Sequence, residues 1–157
     1  ALLPDVPLRL AVVGDGPQRA VLERRAEQLG LDERVLWRGA LADAGRLFAA
    51  FDLFVLSSRT EGTPMVLFEA MAARVPIVAS SVGGVPDVLR ATEGLLVPAE
   101  NARALAEAMR EIIGQPANAV TRAASAQDRL LGSYGVQPWV ERYRSVYREA
   151  LRLAGQS

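Results

Sequence analysis

The sequence predicts an α/β fold: a parallel sheet of about five strands flanked by helices, followed by two C-terminal helices. Three observations carry this. Between Arg9 and Gly114 short β-branched or apolar runs alternate with longer stretches of helical period. Half of the residues are hydrophobic, as strands covered on both faces by helices require. Past Gly114 the strand-like runs stop and only helical period remains.

Taken in order, the strands are expected at RLAVVG (9–14), RVLWRG (34–39), LFVLSS (53–58), PIVAS (76–80) and GLLVP (94–98). The first two are separated by Pro17 to Leu29, where Val21, Leu22, Ala26 and Leu29 recur at helical spacing opposite charged residues, the pattern of an amphipathic cover helix. Further helices are expected at Asp43–Phe51, Pro64–Arg74, Val85–Arg90 and Ala102–Ile113, the last with Asn101 as N-cap. Connections of this length make all the strands parallel. The C-terminal helices are expected at 117–131 and 138–154, with a turn at GSYG between them. The last gathers Trp139, Tyr143, Val146, Tyr147, Ala150 and Leu151 on one face, a docking face against the sheet domain or a neighbouring one.

At 157 residues the chain is expected to form a single domain, 1–157. Its 18 basic and 18 acidic side chains cancel, so no global field draws nucleic acid or an anionic membrane. Cysteine and histidine are both absent, which removes disulfides, thiolate nucleophiles, imidazole bases and the usual zinc ligands. No apolar run approaches the length of a transmembrane span, and a cytoplasmic location is expected. The chain opens on ALLPDVPLRL without an initiator Met and reads as a piece of a longer protein.

TEGTPMVLFEAMAARVPIV, 60–78, carries the most chemistry. From Pro64 to Ala73 every residue is apolar except Glu69, so a charge stands in a helix that reads as buried on all sides, and a buried charge needs a partner. Thr63 is placed as N-cap and Pro64 as the first helical residue. The amides near Met65 and Val66 then lack intrahelical acceptors. With Gly62 allowing close approach and the helix dipole adding positive potential, they make an anion site suited to phosphate. Glu69 lies about 8 Å further along, at a rise of roughly 1.5 Å per residue, where a ribose diol donating to its carboxylate meets the demand for a partner. Glu61, on the other side, is placed to bind hydroxyls of whatever the diphosphate carries. The competing reading is a core glutamate paired with a buried arginine and an unrelated surface glutamate.

The other strand ends are less specific. Gly83 and Gly84 follow strand 76–80 and form either a second wall of the same crevice or a tight strand-to-helix turn. Gly14-Asp15-Gly16-Pro17 resembles the start of a dinucleotide fingerprint, but Arg19 stands where its third glycine belongs, and Arg38 stands where an NAD site needs an acid. Gly14 and Gly16 are therefore read as a turn facing the crevice. No lysine near these turns can serve as a Walker-type phosphate ligand. Arg59 and Arg38 are the cations nearest the strand ends, each read first as a structural salt-bridge partner.

LFVLSSRTEGTPMVLFEAMAARVPIVASSVGGVPDVL, together with VVGDGP, RVLWRGAL and GLLVPAENARALAEAM, resembles the C-terminal donor-binding domain of family 4 retaining glycosyltransferases, whose GT-B fold pairs two Rossmann-like domains. The E-x(7)-E spacing of Glu61 and Glu69 is its specific mark. The resemblance implies that the catalytic-site Glu61 contacts the transferred sugar and that Glu69 holds the nucleotide ribose. Gly62, Thr63, Pro64, Met65 and Val66 would meet the diphosphate, and Arg38, Gly39 and Leu41 would lie against the nucleobase. It implies a nucleotide-diphospho-sugar donor, no metal ion and no other cofactor. It also implies an N-terminal domain of the same parent as partner, with the parent cytoplasmic or peripheral at a membrane.

Two departures stand out. Arg74 occupies the helix end where the family usually has glycine, and the family's upstream phosphate-binding Arg and Lys are missing, so the 157-residue chain alone is expected to bind nucleotide weakly and transfer nothing. The alternatives are a dinucleotide-binding oxidoreductase domain and a degenerate, non-catalytic interaction domain. By the resemblance, base contacts run largely through backbone atoms and acceptor contacts belong to the N-terminal domain.

Overall fold

The computed structural model describes residues 6–154, which fall into two compact units divided between Ala50 and Phe51. All five expected strands form, and all pair in parallel. Their arrangement differs from the expected single sheet: two strands pair in the first unit and three in the second. Apolar runs mark where strands lie but carry no information on which strands pair.

In the first unit β1 (Leu10–Val13) pairs with β2 (Val35–Gly39) across the helix α1 (Arg19–Gln28). The register slips between Val12 and Val13, which sets Val13 opposite Gly39. Of the four apolar positions expected to face inward on α1, Ala26 is buried while Val21, Leu22 and Leu29 remain exposed. A two-stranded sheet offers little area for a helix to cover. The segment expected as a helix over 43–51 is a 3-10 helix, Ala44–Ala50, which buries Phe48.

The second unit holds the larger core. Its sheet runs in the order β3 (Phe54–Leu56), β4 (Ile77–Ser80), β5 (Leu95–Val97), and the central β4 is buried along its whole length. The run PIVAS has no polar alternation because both faces of β4 are covered. The helices are α2 (Met65–Ala72), α3 (Val85–Val88), α4 (Ala102–Gly114), α5 (Pro116–Arg129) and α6 (Val136–Ala154). Ala108 and Ile112 of α4 and Ala119 of α5 pack with Val78 and Val97 of the sheet. Asn101 caps α4 as expected, its side-chain oxygen accepting from the Ala104 amide at 3.0 Å.

The expected turn at GSYG is instead mostly a widened π-helical turn, Leu130–Tyr134, continuing α5. It carries Tyr134 against Phe68 of α2, ring centroids 5.0 Å apart, while its hydroxyl donates to the Asp87 carbonyl at 2.8 Å. Arg129 donates to the carbonyls of Val88 and Asp87, satisfying the end of the short α3, and pairs with the buried Glu93 at 3.6 Å. Beyond this node, no residue of α6 is buried, and Trp139, Tyr143, Val146, Tyr147 and Leu151 are each more than half exposed. No helix among the described residues is long and apolar enough to cross a membrane.

Candidate functional site

Parallel pairing puts the carboxyl ends of β3, β4 and β5 on one edge of their sheet, and the loops leaving β3 and β4 pack directly on each other there. The Gly84 amide donates to the Gly62 carbonyl at 3.0 Å. Gly83 has φ +50°, and a Cβ built on it would lie 1.8 Å from the Glu61 carbonyl oxygen; one on Gly84 would lie 2.4 Å from the Gly62 oxygen. Both positions demand glycine because another backbone occupies the side-chain space. Gly83-Gly84 makes a tight turn from β4 into α3, with Val85 N bonded to the Val82 carbonyl, and that turn packs on the Glu61-Gly62 backbone.

Beside that turn Glu61 is half-buried, and its carboxylate accepts from the Ser58 hydroxyl at 2.6 Å. Arg59 pairs with Glu100 at 2.9 Å in an exposed ion pair, the salt-bridge role expected of it. Gly62 and Thr63 are exposed, and a Cβ on Gly62 would meet nothing within 4 Å. Sequence reasoning missed Ser58 and Glu100; the serine three residues before Glu61 was the available signal.

α2 starts one residue later than expected. Pro64, buried and extended (φ −75°, ψ 107°), is the N-cap, with no side-chain cap, and Thr63 does not take that role. Pro64 itself has extended backbone, outside the helical region that a first helical residue needs, so the cap falls on it and Met65 is the first helical residue. The first backbone bond of the turn runs from the Leu67 amide to the Pro64 carbonyl at 3.0 Å, so the amides of Met65 and Val66 precede it, as the anion-site expectation requires.

Glu69 is not in the core. Leu67, Ala70 and Met71 are buried, whereas Met65, Glu69 and Ala72 form an exposed stripe at i, i+4 and i+7. The expectation of a helix buried on all sides is corrected, and the core-glutamate reading falls with it. At its far end the helix keeps a left-handed residue without glycine: Arg74 has φ +56°, with Arg74 N bonded to the Met71 carbonyl and Val75 N to the Ala70 carbonyl. Its side chain reaches Gln127 of α5 at 2.5 Å, and Gln127 donates to the Ala72 carbonyl at 2.8 Å.

The remaining candidates lie in the first unit, at the carboxyl ends of β1 and β2. The Gly14 amide donates to the Gly39 carbonyl at 2.7 Å, and the Gly16 amide donates to the Asp15 carboxylate at 2.8 Å. The first amide is engaged across to the end of β2 and the second within the turn itself, so neither points free as a pyrophosphate cradle requires. Arg38 and Leu41 are exposed and Gly39 is half-buried. Arg19, at the failed third glycine of the fingerprint, pairs with Glu23 at 2.8 Å; that hydrogen bond raises its guanidinium pKa.

Comparison with known proteins gives a consistent set. A family model described as glycosyl transferases group 1 matches residues 1–115. The chain is 27% identical over 152 residues to the N-acetyl-alpha-D-glucosaminyl L-malate synthase of Bacillus anthracis, covering 96% of this chain and 40% of that protein. It is 34% identical over 144 residues to the 2-deoxystreptamine N-acetyl-D-glucosaminyltransferase of Streptomyces fradiae, covering 90% and 34%. Among solved structures it superposes on Anabaena HepE in complex with UDP with a TM-score of 0.83 at 26% identity, covering 90% of this chain and 41% of that one. HepE in complex with UDP-glucose gives 0.80 at 28%, covering 90% and 41%. The chain thus spans less than half the length of each.

Proposed function

We infer function from family: this chain belongs to the glycosyl transferases of group 1, and the reading that follows is that it is the part that binds a nucleotide-diphospho-sugar. The observation that carries this is the packed pair of loops at Glu61-Gly62 and Gly83-Gly84, set directly before the start of α2 and the exposed Glu69. In this reading Glu61 binds hydroxyls of the transferred sugar. The diphosphate sits at the amides of Met65 and Val66, where Gly62 leaves room for it and the helix dipole favours an anion. Glu69 takes the ribose diol.

The reaction is transfer of a hexosyl-type sugar with retained anomeric configuration. As the bond from the anomeric carbon to the diphosphate breaks, negative charge develops on the leaving phosphate. Amides already fixed at a helix start stabilise that charge without reorganising. Acceptor binding belongs to an N-terminal domain of the same parent, which would also supply closure over the donor. The parent acts in the cytoplasm or at a membrane surface, and the 157-residue chain by itself does not turn over.

A thermal-shift panel of UDP-, GDP- and ADP-sugars on the full-length parent tests the reading. One nucleotide series should raise the melting temperature with concentration, as a ligand of the folded state must. NADP should not. Stabilisation by NADP alone, or by none of the panel, would overturn it.

A further inference from the structure

We propose that Ser58 is a positioning residue that aims the Glu61 carboxylate at the transferred sugar. The proposal rests on the donor-binding reading and assigns a role to a residue outside the E-x(7)-E pair.

Glu61 is held at two points. Its backbone is fixed by the Gly83-Gly84 loop, which leaves no space for a side chain between the two segments. Its carboxylate is fixed by Ser58, two residues past the end of β3, whose hydroxyl donates to Oε1 at 2.6 Å. That is the short end of O–H···O hydrogen bonds. A flexible glutamate side chain otherwise has to be ordered when substrate binds, and ordering subtracts from affinity. Here the order is present beforehand.

The identity of the donor also matters. A guanidinium in the same place would engage both carboxylate oxygens and compete with sugar hydroxyls for them. Arg59, the adjacent residue, is instead paired with Glu100 at 2.9 Å. Ser58 offers one neutral hydrogen bond to one oxygen, leaving Oε2 and the second lone pair of Oε1 to accept from substrate. A neutral single donor orients the acid while leaving its capacity for hydroxyls in place.

The test compares Ser58→Ala, Ser58→Thr and Glu61→Ala in the full-length parent. Dissociation constants are measured for UDP and UDP-glucose, for GDP and GDP-mannose, and for ADP and ADP-glucose, with kcat and KM for the pair that binds. Ser58→Ala should leave the nucleoside diphosphate affinity within about twofold while weakening the sugar-bearing donor at least about fivefold, the worth of a lost orienting hydrogen bond. The transfer rate should fall with it, and Ser58→Thr, which keeps the hydroxyl, should restore both. A Ser58→Ala protein with a lower Tm but an unchanged ratio of the two affinities would show that Ser58 only braces the turn. If Glu61→Ala also left that ratio unchanged, the assignment of Glu61 itself would have failed. Absence of binding to all three pairs in the unmutated parent would remove the donor reading and this proposal together.

Discussion

The carbonyl oxygen of Glu61 occupies the space that a side chain on Gly83 would need, 1.8 Å from where its Cβ would stand. Both partners in the clash are backbone, so neither can swing aside, and the φ of +50° at Gly83 adds strain for any L residue. Gly83→Ala should therefore lower stability by about 2 kcal/mol or more, read from the urea midpoint. The same substitution should weaken nucleotide-sugar binding, since the Glu61 loop must shift.

Gly62 gives the opposite pairing of effects. A Cβ there meets nothing within 4 Å, so Gly62→Ala should change stability by no more than about 0.5 kcal/mol. If a diphosphate approaches this backbone, the methyl group stands in its way and donor affinity falls in titration calorimetry. A variant that binds as tightly as the parent would place the diphosphate elsewhere.

Arg74 tests how a left-handed helix end is tolerated without glycine. Arg74→Gly relieves about 1 kcal/mol of backbone strain but loses the bond to Gln127, worth about 0.5–1.5 kcal/mol, so the net change in urea unfolding should be small. Gln127→Ala keeps the strain, loses its bonds to both Arg74 and the Ala72 carbonyl, and should cost about 1–2 kcal/mol.

Arg129 should prove far more costly to remove. Its guanidinium serves the carbonyls of Asp87 and Val88 and pairs with the buried Glu93. Arg129→Ala removes the carboxylate's cationic partner, leaving it only the Arg90 amide and Thr92 hydroxyl, and should destabilise by about 3 kcal/mol in thermal or urea unfolding. Glu93→Gln, which retains an acceptor for the Arg90 amide, should cost less.

The places where sequence and structure part have physical causes. Strands and helices were legible from period, and the Asn101 cap from residue type, because these are local signals. Strand pairing is not local, so the five expected strands appear as a pair and a triplet. The burial of α1 and α2 was overestimated because an apolar residue reports preference and not whether a neighbour is there: Val21, Leu22 and Met65 stay exposed. The N-cap falls on Pro64 and not Thr63 because proline fixes φ but leaves ψ free, and here ψ is extended at 107°. The two loops of the candidate site, far apart in sequence, could be placed in one crevice but not in contact; the hydrogen bond between Gly84 and Gly62 and the missing side-chain space at Gly83 and Gly84 show the contact.

The central claim, that Glu61 and Glu69 divide a nucleotide sugar between them, is tested most directly by calorimetric titration of the full-length parent, Glu69→Ala and Glu61→Ala. Each protein is titrated with a nucleoside diphosphate and its sugar-bearing form. Glu69→Ala should weaken both ligands at least about tenfold, the loss of hydrogen bonds to a charged group. Glu61→Ala should weaken only the sugar-bearing one. Equal affinities in all three proteins would contradict the account.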